Sequence, residues 1–170
     1  MGVYRSQRSV SMINDMHKKD LNIGLLSPWV AATPTIEIDK GKEYFCVATW
    51  GTMSMWSSPK FAMLTSKIGR ELHSLPHGHL IGETRQIQAL GLTDFRAETF
   101  TVWHERAHMA AFYKSGAHQH AMTSMKDAID FRVRRVWVKG SDLPSVGDND
   151  ATKAFVLRIK SGGFAEAVKA

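Results

Sequence analysis

Strand-like and helix-like segments follow one another between residues 43 and 138 in an order that few folds can accommodate. The strand-like segments are rich in aromatic and β-branched residues or alternate apolar with polar residues, and they are residues 43–53, 79–89, 95–103 and 131–138. A short turn at residues 91–94 joins the second and third strands into a hairpin. The order of these segments is therefore the starting point for the fold.

Two segments have helical periodicity. The first begins at the Ser-Ser-Pro sequence of residues 57–59, where Ser58 can cap the helix and Pro59 fits its first turn. Its apolar residues recur at helical spacing, at Phe61, Leu64, Ile68 and Leu72. The second covers residues 105–125 and is interrupted at Gly116. These segments complete the order strand, helix, strand, strand, helix, strand.

That order predicts an α+β, ferredoxin-like βαββαβ unit, with a four-stranded antiparallel sheet and two helices on one face. Several strands have large apolar residues on both sides, among them Tyr44 and Phe45. Since the helices cover one face only, we expect a homodimer that packs sheet on sheet into a dimeric α/β barrel.

A chain of 170 residues suits one domain. We predict a mostly extended N-terminal arm at residues 1–40, a ferredoxin-like domain at residues 41–140, and a C-terminal loop and tail at residues 141–170. A short edge strand is expected at residues 154–159. The breakers Gly24, Pro28 and Pro34 are the reason for the extended arm.

Charge and composition argue against several classes of function. The formal net charge of +6 is scattered over the chain, which does not favour nucleic acid as a partner. No apolar stretch approaches about 20 residues, so no membrane span is expected. The start of the chain lacks the apolar core of a secretory signal, and Cys46 is the single cysteine. We therefore expect a cytoplasmic protein.

The HERAH sequence of residues 104–108 matches the H-E-x-x-H pattern of zinc peptidases. Zinc binding in that pattern needs both histidines on one face of one helix. Strand alternation runs through Trp103, which places His104 at the strand end and starts the helix near Glu105. We therefore predict no metal site here and keep a zinc hydrolase only as a less favoured alternative.

The residues around HERAH resemble the antibiotic biosynthesis monooxygenase superfamily. The matching positions form the pattern T-V-W followed by A-x-x-x-A-F-x-x-S-G-A-H-x-x-A-M, at residues 101–103, 107–112, 115–118 and 121–122. The pattern looks closest to two small bacterial branches, a domain family of unknown function and the spheroidene monooxygenase-like proteins. The resemblance covers residues 43–138 and implies dimeric α/β barrels with a small-molecule pocket.

The resemblance also implies an activity. We expect a small-molecule monooxygenase whose hydrophobic substrate is aromatic or isoprenoid-like, working without a cofactor, since no dinucleotide-binding glycine pattern is present. Haem bound by His118 or His104 is the cofactor alternative, and a ligand-binding barrel without catalysis is another. A fold that hosts several functions does not choose among these.

Candidate site residues follow from the resemblance and from side-chain chemistry. His118 matches a histidine of the family pattern and is the expected catalytic base, or the ligand if haem binds. Arg70, and with it Arg85, could stabilise an anion formed during oxygenation. The expected substrate-binding residues are aromatic, namely Trp103, Trp50, Tyr113 and Trp137. The competing interpretation is that His118 stabilises a helix break, the arginines are solvated and the rings are core.

Overall fold

The computed structural model of the chain describes residues 30–31, 37–90 and 93–167. Most of the predicted N-terminal arm lies outside these residues. The strands are β1 (Val30–Ala31), β2 (Glu43–Ser54), β3 (Leu80–Ala89), β4 (Asp94–Trp103) and β5 (Ile129–Lys139). The helices are α1 (Ser58–His73), α2 (Arg106–Tyr113), α3 (Gly116–Met125) and α4 (Asn149–Lys160).

The strands form one antiparallel sheet in the order β1-β3-β4-β2-β5. Without the two-residue β1, the order β3-β4-β2-β5 with the helical crossovers after β2 and β4 is that of a ferredoxin-like fold. The predicted fold class is therefore confirmed. The element β1 adds a short strand beyond β3, pairing Val30 with Glu83.

The helical segment predicted at residues 105–125 is divided into two helices, α2 and α3. The backbone of Ser115 is extended (φ −69°, ψ 157°), which interrupts the helical hydrogen bonds between them. A carboxylate oxygen of Glu71 in α1 accepts a hydrogen bond from the backbone N–H of Ala117 at 3.1 Å. Because the first N–H groups of a helix have no partner within it, this bond stabilises the start of α3.

The expected edge strand at residues 154–159 is wrong, because this segment belongs to α4. The Asp148 side chain accepts a hydrogen bond from Ala151 N at 2.9 Å and so caps the helix. The residues of α4 that are buried follow helical spacing, and they include Thr152, Phe155, Val156 and Ile159. The predicted C-terminal loop and tail thus contains a packed helix.

The helix α4 covers much of the sheet face opposite α1, α2 and α3. Phe155, Val156 and Ile159 pack there in one cluster with Tyr44 and Cys46 of β2. This explains why both sides of β2 are apolar within a single chain. Association of two copies through this face stays a prediction. None of the described helices is long and apolar enough to cross a membrane.

Replacement of Ile159 by Ala tests how much α4 contributes to the fold. Ile159 is 0% exposed, so the truncation leaves a cavity and should lower the free energy of unfolding by about 2–5 kcal/mol. Leu157 lies on the same helix and is 36% exposed, and Leu157→Ala should cost less than about 1 kcal/mol. Urea denaturation followed by circular dichroism measures both values. Equal losses would contradict the packing of α4 on the sheet.

Candidate functional site

A cavity of about 110 Å³ lies between the sheet and the helices α1, α2 and α3. Its walls on the helix side are mostly apolar, and they include Phe61, Leu64, Ile68, Leu72, Phe112 and Met125. The four residues from α1 are the ones whose spacing predicted the helix, so the same periodicity that forms α1 provides the cavity wall. Met122 of α3 also lines the cavity and is 40% exposed, so it stands at the outer edge.

The sheet side of the cavity is more polar. Thr49, Thr99 and Arg85 lie side by side across β2, β4 and β3, and Thr101 pairs with Glu83 in the neighbouring row. All five residues line the cavity. Residues in such a row are about 5 Å apart, so these side chains form a continuous polar strip that faces the apolar residues of the helices.

The ring of Trp103 forms one end of the cavity. Trp103 is fully buried, and its Nε1 donates a hydrogen bond to Thr101 Oγ1 at 2.8 Å. Since indole has a single N–H donor, Trp103 can contact a ligand through its ring face but has no second donor to orient it. The predicted substrate-binding position of Trp103 is therefore compatible with the cavity.

His118 stands at the cavity wall in the first turn of α3. Its ring makes an edge contact with Tyr113 at 4.1 Å between centroids and lies 5.3 Å from the ring of Phe112. Burial lowers the pKa of His118, while the Tyr113 backbone and the negative charge of Glu71 act in the opposite direction. Its Nδ1 is buried and has no hydrogen-bond partner among the described residues. His118 is thus a neutral imidazole near pH 7, able to accept a proton.

Tyr113 is the second polar group at this wall. Burial raises the pKa of Tyr113, and a hydrogen bond with Thr49 and the positive charge of Arg135 partly oppose that change. The phenol is therefore protonated at neutral pH and can donate a hydrogen bond. His118 and Tyr113 were both predicted from the sequence, and the structure brings them together.

The carboxylate of Glu83 was missed by the sequence analysis. Glu83 is 4% exposed and lines the cavity. Its Oε1 accepts hydrogen bonds from His73 Nε2 at 2.9 Å and from Arg85 Nη2 at 3.0 Å. The sequence did contain a signal for it. Glu83 and Arg85 have opposite charges and are two positions apart in a predicted strand, so their side chains lie on the same face of the sheet.

Three predicted site residues lie away from this cavity. Arg70 is exposed on α1 and lines an outer groove with Ser66 and Ser74. Trp50 is on the opposite sheet face, where Lys160 Nζ lies 5.1 Å from its ring centroid. Trp137 is 40% exposed and packs edge-on against Phe45. The substrate and anion roles predicted for these residues do not fit this cavity.

HERAH lies at the junction between β4 and α2. The strand ends at Trp103 and Glu105 precedes the helix in an extended conformation, as the sequence predicted. The ring of His108 stacks on that of His79 at 3.7 Å, while His104 Nε2 lies 2.5 Å from Lys42 Nζ. No group of three metal-ligating side chains within residues 30–31, 37–90 and 93–167 is arranged to hold a metal ion.

Comparisons with known proteins find similar solved structures only. No protein-family model matches the chain, and no curated protein matches it. Among solved structures, a candidate antibiotic biosynthesis monooxygenase from Nitrosomonas europaea is 12% identical, with 66% of this chain and 100% of that chain covered and a TM-score of 0.48. The cofactor-independent oxygenase SnoaB from Streptomyces nogalater is 8% identical, with 57% and 93% covered and a TM-score of 0.43.

A dimeric ferredoxin-like protein of unknown function from Thermobifida fusca is 12% identical, with 55% of this chain and 92% of that chain covered and a TM-score of 0.40. Neighbours of the antibiotic biosynthesis monooxygenase kind are thus found, and the two finer branches stay a prediction. At such identities and TM-scores the similarity carries no conclusion about activity. Activity has to be inferred from the cavity and its side chains.

The pKa of His118 predicts a pH dependence of stability. Burial holds this pKa below its usual value of about 6.5, so the unfolded chain binds a proton more readily than the folded one as the pH falls. The free energy of unfolding should therefore decrease from about pH 7 to about pH 5, and less so in His118→Gln. Urea denaturation across this range measures the difference.

The control for this experiment is His120→Gln, because His120 is exposed in the same helix. This variant should keep the wild-type dependence on pH. If His118→Gln and the wild type lose stability in parallel as the pH falls, folding does not lower the pKa of His118.

Proposed function

We propose that the chain is a monooxygenase-like oxidoreductase that oxidises a small hydrophobic ring compound with O₂ in this cavity, without a bound cofactor. The observation that supports it most is the contact of His118, whose pKa is lowered by partial burial, with the protonated Tyr113 at the wall of an apolar cavity. A general base and a hydrogen-bond donor are the two protein groups that such a reaction needs.

The volume of the cavity limits the size of the possible substrates. An apolar cavity of about 150 Å³ is sufficient to bind benzene. The cavity here, of about 110 Å³, is on the scale of a single ring. A single aromatic or enolisable ring fits this space better than a polycyclic or long isoprenoid substrate. Movement of the exposed Met122 would be the way to enlarge it.

The proposed reaction begins when His118 removes a proton from an acidic C–H group of the substrate. The resulting carbanion, stabilised as an enolate, reduces O₂, and a C–O bond forms to give a peroxide anion. The protonated His118 returns its proton to this anion, and the hydroperoxide loses water to leave a carbonyl group. In sum, R₂CH₂ and O₂ give R₂C=O and H₂O, so the substrate itself supplies the electrons.

Tyr113 stabilises the charge that develops in this reaction. Its protonated phenol can donate a hydrogen bond to the enolate or peroxide oxygen, and a donor in an apolar site is more effective than one in water. This is the role that the sequence analysis assigned to Arg70. Because Arg70 is exposed on the outer side of α1, Tyr113 fits that role better.

Oxygen uptake with single-ring enolisable ketones and phenols tests the proposal. The wild type should consume O₂ faster than buffer does, and isotopically labelled O₂ should leave one labelled atom in the product. His118→Gln should lower kcat by about 100-fold or more, since general bases contribute on that order. His120→Gln, the exposed neighbour, should keep wild-type turnover. Absence of uptake with every substrate would contradict an oxygenase.

Haem is a second candidate that the sequence left open. A cavity on the scale of one ring does not accommodate a porphyrin, and the ring of His118 is already in contact with Tyr113. The residues present therefore do not fit haem at His118. A Soret band in the purified protein would revive the haem hypothesis. A ligand found by mass spectrometry of the denatured protein, with no O₂ uptake, would favour a ligand-binding barrel.

The homodimer also stays a proposal. Large apolar side chains on the surface support it, because Trp56 is 86% exposed and Trp137 is 40% exposed in the single chain. A second copy would remove such surface from water. Light scattering at micromolar concentration should give the mass of two chains, and a monomer would contradict the proposal.

A further inference from the structure

The carboxylate of Glu83 is a polar group of the cavity that the proposed reaction does not use. His73 and Arg85 both donate to its Oε1, at 2.9 and 3.0 Å. Its other oxygen, Oε2, is buried and has no hydrogen-bond partner in the described part of the chain. One oxygen therefore holds the side chain in place, and the other has no donor, in a residue that lines the cavity.

Gly69 of α1 makes room for the contact between Arg85 and Glu83. A side chain at Gly69 of α1 would collide with the guanidinium of Arg85, so the glycine leaves the space in which Arg85 reaches Glu83. A buried carboxylate is costly unless its oxygens receive donors. Hydrogen-bond donors thus reach Oε1 of this carboxylate, and none reaches Oε2.

Glu98 also borders the cavity, but its side chain lies on the opposite sheet face, where it contacts Lys160. Its Oε1 accepts from Lys160 Nζ at 3.0 Å, and its Oε2 is likewise buried without a partner among the described residues. The gap beside Glu98 on that face is only about 10 Å³, which has room for about one water molecule. The cavity beside Glu83 is about 110 Å³, which has room for a ligand.

We propose that Oε2 of Glu83 accepts a hydrogen bond from a hydroxyl or N–H group of the ligand, so that the cavity selects single-ring phenols and aromatic amines. This inference rests on the proposed function in one respect, that the cavity binds a ring compound. A plain hydrocarbon ring leaves the oxygen without a donor, and a ring with a carboxylate places two negative charges together.

Binding of phenol, fluorobenzene and benzoate, measured by calorimetry under nitrogen, tests the inference. These probes have similar size and differ in the donor or charge they present. Wild-type protein should bind phenol about tenfold or more tightly than fluorobenzene, the range expected for a hydrogen bond to a charged group, and benzoate most weakly. Excluding O₂ keeps this measurement independent of turnover.

Two variants make the test specific to Glu83. Glu83→Gln replaces one carboxylate oxygen with an amide donor and should lower the preference for phenol over fluorobenzene about tenfold. Glu105→Gln makes the same change of charge at an exposed residue outside the cavity lining and should leave the preference unchanged. The wild-type comparison of probes decides the question if Glu83→Gln does not fold.

Equal affinity of the wild type for phenol and fluorobenzene would overturn the inference. So would tightest binding of benzoate, an equal effect of the two variants, or no binding of any probe. Selective binding of phenol together with absence of O₂ uptake in air would instead refute the oxygenase while supporting the role of Glu83. The two proposals therefore fail in different experiments.

Discussion

Burial of β2 on both faces is the constraint on which the rest of the structure depends. This strand lies inside the sheet, paired with β4 on one side and β5 on the other, and Phe45, Cys46 and Val47 are at most 1% exposed. Since successive side chains point to opposite faces, such a strand must be covered on both sides. The helices α1, α2 and α3 cover one face, and α4 covers much of the other.

The cavity exists because the sheet residues beneath α1, α2 and α3 differ in size. Phe45 and Trp103 fill the space under the helices, and two rows further along the same face the paired residues are the smaller Thr49 and Thr99. Small polar residues beneath long apolar helix residues leave a void in an otherwise close-packed interior. The void is edged by α3, whose position depends on the bond between Glu71 and Ala117.

That bond also relates the break in the second helical segment to the candidate site. His118 is in the first turn of α3, next to Ala117, so the contact that holds the helix start also holds the imidazole at the cavity wall. The charge of Glu71 raises the pKa of His118 to a lesser extent than burial lowers it. Position and protonation of His118 therefore both depend on Glu71, a residue of another helix.

The element order between residues 43 and 138 was predictable because strand alternation and helical spacing are local properties of the sequence. The helix α4 was not recognised, because its apolar residues 154–159 also suit a short strand and its start depends on the cap at Asp148. Trp103 and Trp50 looked equivalent in the sequence, because both faces of the sheet are apolar. Which face has the cavity depends on how the helices pack.

The sequence by itself determined the ferredoxin-like order and the junction at HERAH, since both follow from local periodicity. It also made Tyr113 a candidate through residue chemistry and His118 through the family resemblance. Tertiary structure alone decided that Glu83 is held by His73 and Arg85, that Arg70 faces outward, and that α4 covers the second face. These features join residues far apart in the chain, and no local pattern records such contacts.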